Sequence, residues 1–157
     1  MPPGDAKQAY LDGLKMLARH ELSEARVRDR LARRGYEQDA IDTAVARLRA
    51  EHAIDDARVA EAIARTETSR RRRGKARVRL RIEQAGIAAA TARHAADEVL
   101  ANVDEDAQIE ALLNKRLRGR DGIADDRELQ RLYRYLLGQG FDADRIEKAL
   151  TARKHRS

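Results

Sequence analysis

The stretch "VRDRLARRGYEQDAIDTAVARL" occupies residues 27–48. Val27 and Leu31 precede its glycine, and Ile41 and Val45 follow it. Each pair is spaced by four, which places both members on one face of a helix. Gly35 stands between the two blocks, where a helix C-terminus calls for a left-handed residue. Tyr36, directly after it, can close over the turn. The stretch therefore reads as helix–Gly–helix.

The same arrangement recurs in "VRLRIEQAGIAAATARHAADEV", residues 78–99, and in "LYRYLLGQGFDADRIEKALTAR", residues 132–153. Gly86 and Gly140 align with Gly35. Val78 and Leu132 align with Val27, and Ile82 and Leu136 with Leu31. Ile87 and Phe141 follow their glycines as Tyr36 does. Ala92 and Ala96 in one copy, and Ile146 and Leu150 in the other, repeat the second helical face. A further helical stretch precedes each copy, at residues 6–19, 56–69 and 105–118. In the last of these, Ile109, Leu112, Leu113 and Leu117 form an apolar stripe. The expectation is an all-α chain of three tandem three-helix repeats over residues 1–54, 55–103 and 104–157. Helical units with a period near fifty residues stack on their neighbours, which predicts an elongated, curved, solenoid-like chain.

Composition agrees with thin helical layers. Charged residues make up 38% of the 157 and aromatic residues 3%, so Ala, Leu, Val and Ile must supply the packing. The two prolines, Pro2 and Pro3, leave the rest of the chain free to be helical. Ser23, Asp55 and Asp125 stand at cap positions, and Asp125 with Glu128 reads as a capping box. Ala88 occupies a cap site without a capping side chain. "GRDGIAD", residues 119–125, is the longest loop-like piece and the expected hinge.

Little in the chain points to catalysis. With no cysteine there are no disulfides, thiolate nucleophiles or Cys-type zinc sites. His20, His52, His94 and His155 lack metal-ligand spacing. The pairs Asp55–Asp56 and Asp125–Asp126 open helices, where carboxylates stabilise the positive end of the dipole. Arg73-Gly74-Lys75-Ala76 lacks the upstream glycine and the following Ser/Thr of a phosphate loop. No membrane-length apolar run and no signal core appear, which suits a cytoplasmic protein. The expectation is a protein that is not an enzyme and uses no cofactor or metal.

The strongest functional signal is "RRRRGKARVRLR", residues 70–81, with eight cations and no acid. A net charge of +6 raises the odds of an anionic partner. On a helix, Arg73, Arg77 and Arg81 would form one ridge. The bland alternative is a solvated face ending in a mobile joint. Sequence-specific DNA reading by the helices after each glycine is disfavoured. Their starts carry Glu37, Asp39 and Asp42, or Asp142 and Asp144, which would meet phosphates. Backbone contact to single- or double-stranded DNA through the basic run stays open.

In the order of these motifs the chain resembles the RecX family of recombination regulators. The resemblance rests on "LARHELSEARVRDRLARRGY", "IDDARVAEAIARTETSRRRRGKARVRLRIEQAGI" and the closing "RELQRLYRYLLGQGFDADRIEKAL". Two departures stand out. Val59 replaces the family's Phe, and Arg73-Gly74-Lys75-Ala76 replaces Gly-Tyr-Gly-Pro. The resemblance implies three three-helix repeats that lie in the groove of RecA recombinase filaments on single-stranded DNA. There such proteins restrain filament growth, ATP hydrolysis, strand exchange and co-protease action, and so DNA repair, recombination and the SOS response. The expected contact residues are Arg70, Arg71, Arg72, Arg73, Lys75, Arg77 and Arg81. Arg30, Arg33 and Arg34 in the first repeat, with Arg131 and Arg134 in the third, come second. A monomer is expected, and the alternative is a general DNA-binding helical module with no dedicated recombinase partner.

Overall fold

The computed structural model describes residues 5–154. Among them are nine helices and no strand: α1 (Ala6–Arg19), α2 (Glu24–Arg33), α3 (Gln38–Ala50), α4 (Asp56–Ser69), α5 (Lys75–Gln84), α6 (Ala89–Leu100), α7 (Glu105–Leu117), α8 (Asp126–Gly138) and α9 (Ala143–Lys154). The helix–Gly–helix expectation holds in all three copies. Gly35, Gly86 and Gly140 have φ of 97°, 85° and 97°, the left-handed backbone that glycine adopts without a Cβ clash. At Gly35 the Tyr36 N–H donates back to the Leu31 carbonyl at 3.3 Å, and at Gly140 the Phe141 N–H donates to Leu136 at 3.4 Å. These are Schellman turns, which satisfy carbonyls that a helix end would otherwise orphan.

Helix starts follow the capping expectations. Ser23 accepts from the Arg26 N–H at 3.2 Å, Asp55 from Arg58 at 3.2 Å, and Asp125 from Glu128 at 2.8 Å. The capping box differs in one respect. Glu128 reaches past Asp125 and takes the Ala124 N–H at 3.0 Å. Ala88 is the uncapped start of α6, its carbonyl taking the first helical bond from Ala92 at 3.0 Å.

The chain divides into two compact units. The first joins Met1–Ile63 with Arg81–Ala95. In it α1 packs on α2 and α3 around Ala9, Val27, Leu31, Ile41, Val45, Leu48 and Ile54. Burying each Leu or Ile contributes roughly 1.5–3 kcal/mol, which stands in for the missing aromatic bulk. Two tyrosines tie α1 to the residues flanking α3. The Tyr10 hydroxyl donates to Glu51 beneath the Arg47 guanidinium, and the Tyr36 hydroxyl donates to Asp12. Burial, then the Asp12 carboxylate, pushes the Tyr36 hydroxyl up to about 12. Outside the core, Arg28 binds Glu24 at 3.2 Å and Asp42 at 2.6 Å, and Arg49 completes the set by binding Glu24. Hydrogen bonds from Arg28 and then Gln38 hold the Asp42 carboxyl below its usual range.

The second unit joins Ala64–Leu80 with Ala96–Ser157. Here α9 packs on α7 and α8 around Ile109, Leu113, Leu117, Leu136, Phe141, Ile146 and Leu150. The segment expected to be a hinge is tied at several points. Arg120 pairs with Glu128 at 2.7 Å, and Arg153 donates to the Asp121 carbonyl at 3.3 Å. Arg153 is 3% exposed, and its guanidinium also binds Glu110 at 2.7 Å and Asn114. One buried guanidinium thus joins α7, α9 and the α7–α8 loop.

Two mutations probe this packing. Gly140→Ala should destabilise the chain more than Gly35→Ala in urea unfolding. Both incur roughly 1–2 kcal/mol for the left-handed backbone. At Gly140 the new Cβ also runs into the Arg77 backbone, whereas at Gly35 it meets nothing within 4 Å. Equal losses would contradict the close approach. Arg153→Met should cost about 2–3 kcal/mol, because bonds to a charged group are lost. Amides of residues 119–124 should then exchange faster; unchanged exchange would remove Arg153 from that role.

Candidate partner and nucleic-acid interface

The basic run begins where α4 ends. The Arg70 N–H donates to the Thr66 carbonyl at 3.0 Å, and the Arg73 N–H returns to Glu67 at 2.9 Å. Arg72 at the apex takes a left-handed φ of 52°, a conformation that costs a non-glycine residue free energy. Beyond the apex the backbone is held by the α8–α9 turn. The Gly74 N–H donates to the Gln139 carbonyl at 2.7 Å, and the Ala76 N–H to Gly140 at 3.2 Å. A Cβ at Gly74 would overlap the Gly140 carbonyl, so only glycine allows this approach. Two of the orphan N–H groups at the start of α5 are thereby satisfied by protein carbonyls. The Ala76 bond is one that a proline at this position could not make. The segment is a backbone-anchored turn, not a mobile joint.

The anchoring sorts the seven first-choice cations. Arg73 precedes α5, so it does not continue a ridge with Arg77 and Arg81. Its guanidinium turns inward, donating to the Gln139 side chain at 2.7 Å and lying 3.9 Å from Glu67. Glu67 is only 5% exposed and also faces Arg71 at 3.8 Å. Lys75 is exposed and pairs with Asp97 at 3.0 Å. Arg77 is half-buried, since its backbone lies under Gly140. Arg81 is exposed, on the part of α5 assigned to the first unit. Arg70 and Arg72 are exposed and carry no ion pair among the described residues. Arg70, Arg71 and Arg72 therefore present their charge outward from a fixed turn, beside a buried carboxylate that positions Arg71 and Arg73.

The second-choice residues are spread over other surfaces. Arg30, Arg33 and Arg34 lie at the exposed end of α2, with Arg33 on Asp29 at 3.2 Å and Arg34 near Asp12 at 3.5 Å. Arg131 and Arg134 are exposed on α8. Among the described residues no cluster of His, Asp and Glu could hold a metal, and no helix is long and apolar enough to cross a membrane. His20, His52 and His94 are all exposed, and His155 lies outside the described residues. Sequence reasoning missed Glu67, Gln139 and Arg153. The readable signal was Gly74, a glycine at a helix start where close backbone approach is one of few reasons to have it.

Replacing Arg71 and Arg72 by Ser should weaken binding to an anionic partner while leaving the unfolding midpoint within roughly 0.5 kcal/mol of the parent. Arg73→Ser should instead lower stability by about 1–3 kcal/mol, because it removes a half-buried guanidinium that binds the Gln139 side chain and lies beside the buried Glu67. Circular-dichroism melts paired with binding isotherms separate the two, and a stable Arg73→Ser protein would overturn the division.

Comparison with known proteins agrees with this architecture. The family model for the first three-helix domain of RecX matches residues 9–48, and that for its third three-helix domain matches residues 104–150. The regulatory protein RecX of Syntrophotalea carbinolica is 30% identical over 134 residues, spanning 85% of this chain and 88% of that protein. The crystal structure of RecX from Lactobacillus salivarius superposes with a TM-score of 0.80 at 21% identity, covering 94% of this chain and 95% of that one. A second crystal structure of a regulatory protein RecX gives 0.75 at 20% identity, covering 93% and 71%.

Proposed function

The chain belongs to the RecX family of regulatory proteins, and from that premise we propose that it is a non-enzymatic modulator of RecA filaments on single-stranded DNA. It restrains filament growth, ATP hydrolysis, strand exchange and co-protease action, and it works as a monomer in the cytoplasm. The observation that carries this reading is the anchored turn bearing Arg70, Arg71 and Arg72. Their side-chain entropy is large, but the backbone beneath them is already ordered, so less is lost on binding. Arginine suits this role because its planar fork matches carboxylates and phosphates alike. Arg77 and Arg81 on α5, and the exposed arginines of α2 and α8, add further contacts, and contacts spread over several helices raise avidity.

The bonding at the start of α5 favours a protein-containing target over naked DNA. A helix N-terminus is a common phosphate site, but here the Gly74 and Ala76 amides are spent on carbonyls of the α8–α9 turn. What remains is side-chain charge, which steers encounter with any anionic surface.

Binding to naked single-stranded DNA and to RecA-coated DNA, measured across a salt series, distinguishes the readings. A filament regulator should prefer the coated form, whereas a DNA module prefers naked DNA with a steep salt slope. In the same mixture, substoichiometric protein should depress the DNA-dependent ATPase of RecA. Unchanged turnover would sink the regulator reading.

A further inference from the structure

The C-terminal end of α7 carries a second group of cations, which sequence reasoning missed. Lys115, Arg116, Arg118 and Arg120 stand within six residues. Cations near the last turn of a helix complement its dipole, and that accounts for their charge. Two further features are left over. Arg118 ends α7 in a left-handed backbone, φ 53°, whereas glycine fills four of the seven left-handed positions among the described residues. Its side chain makes no hydrogen bond or ion pair among those residues to offset the cost. Arg72, at the apex of the anchored turn, has the same backbone. The second feature is Arg116, whose guanidinium lies over the Tyr135 ring of α8, 3.6 Å from its centroid.

Beside that pair, α7 and α8 leave a groove of about 280 Å³, lined by Arg116, Glu128, Arg131, Leu132 and Tyr135. That is small for a pocket that encloses a ligand, so it suits one group rather than a length of chain. Glu128 is the single acid among its described lining residues, and it is already committed. It accepts from Arg120 at 2.7 Å and from the Ala124 N–H at 3.0 Å. Those bonds, the Arg120 one first, hold its carboxyl below the usual range. Arg116 and Arg131 therefore leave the groove a surplus of positive charge. A guanidinium over an aromatic ring has a second face, and nucleobases stack on such planes. Arg116 is exposed, which leaves that face to solvent. A carboxylate-bearing peptide would use the charge but not the platform. We propose that the α7–α8 groove seats one nucleotide of single-stranded nucleic acid, its base on Arg116 and its phosphate against Arg131, with Arg118 taking a neighbouring phosphate. A duplex fits less well, since its bases are already stacked on one another. The site goes beyond the RecA reading and does not rest on it. One stacked base contributes roughly tenfold to a hundredfold in affinity, too little to make the chain a general DNA-binding module.

The test uses the full chain, without RecA, against a fluorescein-labelled oligothymidylate and an abasic strand of the same length. The abasic strand carries the phosphates without the bases. Anisotropy should show the oligothymidylate binding at least about tenfold more tightly than the abasic strand. Its amide shifts should include residues 115–118 and 128–135. In the double variant Arg116→Ala with Arg131→Ala, both exposed positions, that preference should vanish, whatever contacts persist at the Arg70–Arg72 turn. Arg118→Gly relaxes the left-handed backbone, so it should leave the urea midpoint no lower while reducing the salt slope on oligothymidylate by roughly 0.7. This second variant keeps the proposal falsifiable if the double variant fails to fold. Equal binding of the two strands by the parent chain, an undiminished preference in the folded double variant, or an unchanged salt slope in Arg118→Gly overturns the proposal. So does a glutamate-rich peptide that displaces the oligothymidylate and shifts the same amides, which would make the groove a protein-docking surface.

Discussion

The approach of a left-handed glycine turn to the first turn of another helix is the constraint on which the rest depends. It is used once in each compact unit. In the first, Gly86 lies against Ala25, where any Cβ would overlap the alanine, and the Ser23 hydroxyl donates to the Ala85 carbonyl. In the second, Gly140 lies against Arg77, and Gly74 and Ala76 donate to Gln139 and Gly140. In the second unit the missing side chain lets backbone meet backbone, and carbonyls left open at one helix end satisfy amides left open at another helix start; in the first, a capping hydroxyl takes the open carbonyl instead.

This exchange gives the basic run its character. Eight like-signed side chains in twelve residues would favour an extended, solvated segment if nothing opposed their repulsion. The two backbone bonds to the α8–α9 turn, together with Glu67 buried beneath Arg71 and Arg73, oppose it. The cations are thereby divided. Arg73 becomes part of the scaffold, Lys75 is shared with Asp97, and Arg70, Arg71 and Arg72 face outward. A similar division runs through the whole charged surface. The Glu24, Arg28, Asp42 and Arg49 set links α2 to α3, and Arg153 joins two helices to a loop, so a high charge content is only partly a matter of solubility.

Local signals were readable because they depend on residues a few positions apart. The apolar spacing of four, the cap residues Ser23, Asp55 and Asp125, and the glycine followed by an apolar residue all act within a single turn. Their positions agree with the helices within a residue or so. The RecX resemblance drew on the same order of motifs. The ridge through Arg73 did not survive because helical spacing assumes the helix has begun, and α5 begins at Lys75. The loop at residues 119–125 looked like a hinge because Gly and Asp favour turns. What ties it down is Arg153, some thirty residues away and visible in the sequence only as one more base in a charged helix.

The sequence by itself determined that this is an all-helical repeat with three glycine-ended helix pairs, because periodicity, capping and left-handed φ are properties of short segments. Only the tertiary structure decided which of its many arginines are structural and which face outward. Those outcomes depend on which distant carboxylate or carbonyl comes within hydrogen-bond reach, and that distance is fixed only when the helices pack.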